Sequence, residues 1–182
     1  MEPESWDRES AIQRVKQAFA IEGDLIASYA HPYLYLGAEA AARTPGEREA
    51  IENAIVAELM RFPEVAYAVS SRSLERGNLP DTELVRSVLR NFSPKRSGDI
   101  YLVFRPNWFI NDFDGLSVAS THGSPWRYDS HVPVVFAGSG VAARRVDRRI
   151  ETVDVAVTLA NLLGTKPPSG SSGRVLLEVT AR

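Results

Sequence analysis

The sequence contains no cysteine. That excludes disulfides and every thiolate metal site, and it is compatible with any redox compartment. An excess of one charge is also missing: 21 Lys and Arg stand against 23 Asp and Glu, a net charge of -2. No cationic field exists to draw in a polyanion, so no nucleic-acid partner is expected. No apolar run is long enough to cross a bilayer as a helix, and no membrane span is expected. The start, Met1-Glu2-Pro3-Glu4, is acidic and lacks the basic and apolar regions of a secretory signal. There is no internal repeat, and no CxxC, HExxH or EF-hand pattern.

What is present suits a globular fold. The chain has 182 residues, 44% of them hydrophobic, enough for one domain or two lobes around a core. Residues 5 to 22 read as a helix, with Ile12, Val15 and Phe19 on one face and Gly23 as its stop. Leu25–Ala30 and Tyr33–Leu36 read as short strands, separated by His31-Pro32 because a residue before proline avoids the helical region. With no partner near it in sequence, His31 reads as a loop histidine held by hydrogen bonds rather than as a metal ligand.

Thr44-Pro45 opens a second helix as N-cap and first-turn proline, with Ile51, Ile55, Leu59 and Phe62 inward and Pro63 as its stop. Val65–Val69 reads as a strand. A third helix after Pro80-Asp81 buries Leu84, Val85, Val88, Leu89 and Phe92, and leaves Arg86 and Arg90 solvated rather than forming a phosphate clamp. The polar turn Ser93–Gly98 is the clearest internal boundary. A strongly apolar strand follows between Asp99 and Pro106. The loop Asn107–Ser117 carries Trp108, Phe109 and Phe113, which can line a substrate mouth or plug a core. Asp112 and Asp114 flank Phe113. Without a third acidic ligand they suit capping or turn roles.

Ala119–Gly138 organises the rest. It holds two of the three histidines, His122 and His131. Gly-Ser-Pro after His122 predicts a turn. The apolar run Val132–Ala137, closed by Gly138, predicts a buried strand. Imidazole offers a lone pair to a metal, and Gly123 lets backbone approach an ion or substrate closely. By spacing alone, two polar loop residues beside a core strand explain the pattern as well. Residues 139–150 form a basic connector, read as a solvated hairpin or edge. A closing helix spans about Thr152–Leu163, with Val155, Leu159, Leu162 and Leu163 inward and Gly164 at its end. Val175–Val179 reads as a last edge strand.

The order Thr121-His122-Gly123-Ser124-Pro125, then Tyr128-Asp129-Ser130-His131-Val132-Pro133 and an apolar strand ending in Gly138, resembles the C-terminal part of the alkaline phosphatase superfamily. The likeness is greatest to bacterial phosphate-irrepressible alkaline phosphatases and to nucleotide pyrophosphatase/type I phosphodiesterases. Thr152–Gly164, followed by Pro167-Pro168, looks like the helix that closes the core of those enzymes. The resemblance covers the last half of the chain best.

It implies an α/β fold: an α+β lobe over residues 1–95, as an insert or cap, followed by the C-terminal portion of an alkaline-phosphatase-like core over residues 96–182. It implies a hydrolase of phosphoric esters, monoester or diester, that clamps its substrate between two zinc ions held by Asp and His while a Thr or Ser alkoxide attacks phosphorus. His122 matches a late zinc-ligand histidine of that family. His131, Tyr128, Asp129, Thr121 and Gly123 match residues that support its loop, and Asp129 is the candidate to orient an imidazole.

The family's early metal-binding Asp, nucleophile loop, Asp-x-x-x-His pair and Asp-His dipeptide have no counterpart in residues 1–118. No catalytic residue is therefore assigned. The chain is expected to be a C-terminal fragment that is inactive alone and binds no zinc tightly. Its expected partner is the missing N-terminal half, or a second copy through the exposed core. Relatives of this family are mostly exported and much longer, so the chain is expected to begin in the middle of such a protein. The alternative is a non-catalytic α+β binding or interaction module, ferredoxin-like in layout, in which His122 is a relic.

Overall fold

The computed structural model describes residues 8–110, 112–113, 116–117 and 119–180. The chain divides after His131 into two units, so the Ser93–Gly98 turn lies within the first.

The first unit runs α1 (Arg8–Phe19), β1 (Ile26–Ala30), β2 (Tyr33–Leu36), α2 (Ala38–Ala41), α3 (Pro45–Leu59), β3 (Val65–Ser70), α4 (Ser71–Arg76), α5 (Glu83–Asn91), β4 (Ile100–Phe104), the short pair β5 (Asp112–Phe113) and β6 (Leu116–Ser117), and α6 (Arg127–Ser130). Four strands form an antiparallel sheet in the order β1-β2-β4-β3. β2 and β3 both pair antiparallel to β4 and are therefore parallel to each other, with β4 inserted between them. The sheet contains one split β-α-β unit, whereas a ferredoxin-like layout needs two, so that layout is not the one adopted.

β4 is central, and its apolar run alternates between the two faces. Ile100 joins the cluster of Val15, Ile51 and Ile55 from α1 and α3. Tyr101 and Val103 join Val69, Leu74 and Val88 on the face covered by α4 and α5. This is the period-two geometry of a strand covered on both sides. The predicted caps form. The Thr44 side chain accepts from the Glu47 N–H while the Glu47 carboxylate accepts from the Thr44 N–H, a capping box at the start of α3. Gly98 is required by packing, since a Cβ there would stand 2.7 Å from the Cβ of Tyr33. The first helix ends at Phe19, earlier than expected, because Ala20 turns to φ +49°.

The second unit holds α7 (Val153–Leu162) and α8 (Leu177–Thr180). Here the structure corrects the sequence reading in four places. Val132–Ala137 is not a buried strand: it has no strand partner among the described residues, and Val135 is 83% exposed. A strand exists only through its ladder, and the described residues of this unit supply no neighbouring strand. The closing helix forms, but Asp154, Val157, Thr158 and Ala160 face inward. Leu159, Leu162 and Leu163 are exposed, because no described element of this unit covers their side. Residues 139–150 form an irregular connector without a hairpin, with Arg145 on Asp147 and Arg148 on Glu178. The expected edge strand at Val175–Val179 is replaced by α8, again for want of a sheet to join.

A candidate metal-ligand loop and its anchors

The loop from Ala119 to Trp126 lies within the first unit, beside the ends of β1 and β4. Four contacts hold it there. The Trp126 indole N–H donates to the Phe104 carbonyl at 2.8 Å, at the end of β4. Tyr128, on α6, accepts through Oη from the Asn107 N–H at 3.0 Å. Asp129 Oδ2 accepts from the Ser124 N–H at 2.9 Å, closing the turn that follows His122. Nε2 of His31, in the β1–β2 turn, stands close against Gly123, 3.9 Å from where a Cβ would be. Gly123 has φ +95°, a conformation that L side chains rarely adopt.

These anchors bound a cleft of about 260 Å³, whose lining includes His31, Phe104, Trp108, His122, Tyr128 and Asp129. His122 is exposed within it. Trp108 therefore takes the cleft-lining role rather than plugging the core, and it is half exposed. Thr121 and Gly123 line the same cleft beside His122.

Asp129 carries the electrostatics of the loop. Ser124 holds its carboxyl below the ordinary carboxylate range, through the nearby hydroxyl first and the backbone N–H as well, and the histidines at 122 and 31 add to this. The hydroxyl acts by proximity, because its oxygen has no partner in hydrogen-bond geometry. Burial pushes the Tyr29 hydroxyl up to about 12. His31 is exposed as a residue, but its ring is flanked closely enough that loss of solvent lowers its pKa, against the pull of the Gly123 backbone and of Asp129.

His131 stands apart from this constellation. It caps α6 through its backbone N–H on the Arg127 carbonyl at 2.8 Å, but its ring is exposed and has no hydrogen-bond partner among the described residues. Asp112 lies on β5, its side chain outside the description, and Asp114 lies outside the described residues. On α5, Arg86 pairs with Asp81 and Glu83. His31 is the residue that sequence reasoning undervalued. It is held by a hydrogen bond to Tyr29, but the fold also brings it to the His122 loop, and no local signal foretells a contact between segments so far apart in sequence.

The sheet, its helices and the loop that carries His122 together have the fold of part of an alkaline phosphatase. Superposition on the crystal structure of wild-type alkaline phosphatase PafA gives a TM-score of 0.77 at 24% identity, over 94% of this chain and 32% of that one. In sequence the chain is similar to bacterial alkaline phosphatases. It is 28% identical to alkaline phosphatase PafA of Elizabethkingia meningoseptica, over 93% of this chain and 30% of that protein. It is 27% identical to alkaline phosphatase PhoV of Synechococcus elongatus, over 71% of this chain and 22% of that protein. A Myroides odoratus protein named as a calcium-transporting ATPase is 29% identical over 94% of this chain and 30% of that protein. No family model matches the chain. The chain thus spans under a third of the length of the curated relatives it matches.

Proposed function

We propose that this chain forms the C-terminal part of a zinc-dependent phosphoric ester hydrolase and supplies His122 as one zinc ligand. On this reading the nucleophile and the remaining ligands come from a segment outside this sequence. Residues 1–95, with β4 completing their sheet, serve as a cap-like region, and residues 96–182 carry the His122 motif. The supporting observation is the state of His122: an exposed imidazole facing a cleft, on a loop tied down by Trp126 and Asp129 with His31 close against Gly123. A ligand on a prefixed loop loses little freedom when it binds metal, which favours tight binding.

The donor set fits one share of a metal site. Among the described residues no group of three or more His, Asp or Glu could hold an ion. His31 is engaged through Nδ1 by Tyr29, and Asp129 by Ser124. Catalytic zinc takes about three protein ligands plus water, so His122 needs partners from elsewhere. Zinc bound there would polarise the phosphoryl group and stabilise charge on the attacking or leaving oxygen. Thr121, Gly123, Tyr128 and Asp129 would keep the imidazole in place. His131 would support the motif through its place at the end of α6.

The relatives' names favour phosphate monoesters over the diesters of the pyrophosphatase branch. The ATPase name in Myroides concerns an anhydride, which is cleaved by the same kind of attack at phosphorus. The uncovered Leu159, Leu163 and Val135 support an apolar partner surface, filled by the complementary N-terminal segment or by a second copy.

Complementation tests the reading. The chain is mixed with a separately expressed N-terminal segment of a PafA-like relative and zinc, and hydrolysis of an aryl phosphate is followed. Turnover that needs both pieces and is lost in His122→Ala is expected. A complex that assembles but is insensitive to His122→Ala would reject His122 as a ligand. No assembly and no turnover would favour the non-catalytic module.

A further inference from the structure

We propose that His31 is a positioning residue that locks the His122 loop against the β1–β2 turn. Its consequence for catalysis rests on the reading of His122 as a zinc ligand, but its geometry does not. Nδ1 of His31 and Oη of Tyr29 share a hydrogen bond at 2.8 Å, with the rings edge to face at 6.2 Å between centroids. Nε2 faces the Gly123 backbone, 3.9 Å from where a Cβ of Gly123 would stand. One arrangement of the neutral ring serves both sides: Tyr29 O–H donates to Nδ1, and Nε2–H is directed at the Gly123 backbone.

Tyr29 is itself fixed. It lies on β1 paired with Leu34 of β2, and its ring packs against the cluster of Val65, Ala68 and Leu102. The sheet therefore sets the Tyr29 ring, Tyr29 sets the tautomer and rotation of His31, and His31 sets the backbone at the residue next to His122. The other anchors, Trp126 on Phe104 and Asp129 on Ser124, hold the loop from its C-terminal side. His31 holds it at Gly123 from the opposite strand hairpin. Without it, the peptide beside His122 would have no tie to β1 or β2, and the imidazole would sweep through a wider range of positions.

The Ser124 amide reports on this lock, since its bond to Asp129 at 2.9 Å survives only while the turn is closed. Amide exchange and imidazole nitrogen shifts are read by NMR on the full chain. In His31→Ala, exchange at Ser124 rises on the order of tenfold relative to amides of the β3–β4 ladder. His31→Gln, which keeps an N–H donor, recovers most of that protection. In Tyr29→Phe, His31 passes from one tautomer to a mixture and Ser124 exchange rises while the ladder is unchanged. This milder variant serves if His31→Ala does not fold.

The proposal is overturned if Ser124 exchange is unchanged in these variants. It is also overturned if Ser124 and the ladder accelerate by the same factor, which would make His31 a stabiliser of the fold at large, or if His31→Gln behaves as His31→Ala. None of these readouts uses metal or turnover. A lock that holds while complementation fails would sink the hydrolase reading and leave this one standing.

Discussion

The indole of Trp126 donates to the carbonyl of Phe104, the last residue of β4, at 2.8 Å. This bond ties the turn after His122 to the central strand of the sheet. Trp126→Phe keeps the packing on the α4/α5 face and removes the donor. It should lower stability by about 1 kcal/mol, read by denaturant unfolding. An unchanged midpoint would mean that packing alone holds the turn.

His122 and His131 should both tolerate alanine in the isolated chain, within about ±0.5 kcal/mol, because both rings are exposed. A buried strand at Val132–Ala137, which the sequence predicts and the structure does not contain, would have raised the cost at His131. Denaturant curves of the two variants decide. A loss well beyond that range at His131 would restore a buried partner for its ring.

Thr158 ties α7 to the segment that leads into α8. Its hydroxyl donates to the Asp154 carbonyl at 2.7 Å and accepts from the buried Leu176 N–H at 3.0 Å. Thr158→Val keeps the shape and orphans that N–H, at a cost of about 1–3 kcal/mol. Proteolysis should then cut first in residues 166–176, and a variant as resistant as the parent would refute the coupling.

Asp154 gives the same unit a pH dependence. The backbone N–H of Arg174 first, then that of Glu151, hold its carboxyl below the ordinary range. A depressed folded pKa contributes stability that is present above the unfolded value of about 3.9 and lost as pH falls through the folded one. The stability gap between the parent and Asp154→Asn should therefore shrink as the solution is made more acid than about pH 4. A gap constant across that window would remove the linkage.

Leu159 is 44% exposed and Leu163 is 75% exposed. The chain should self-associate through this face in sedimentation experiments. Leu159→Glu with Leu163→Glu should abolish association without lowering the unfolding midpoint, since neither side chain is buried. Association unaffected by the pair would place the contact elsewhere.

The sequence by itself determined the elements whose stabilising partners lie close by or follow a fixed period. The capping box at Thr44 and Glu47 starts α3, the unbroken run Ile100–Phe104 marks a strand covered on both faces, and Thr121-His122-Gly123 with the segment around Thr152–Gly164 carried the likeness to alkaline phosphatases. Tertiary structure alone decided the rest. Val132–Ala137 has the composition of a strand, but strand formation needs a neighbour, and the described residues offer none. The leucines of α7 have the period of an inward face, but which face is inward depends on what covers it, and Leu176 covers the other. His31 meets Gly123 because the antiparallel hairpin and β4 carry two remote turns to the same end of the sheet. A local reading sees spacing along the chain, whereas the contact is set by the order of strands across it.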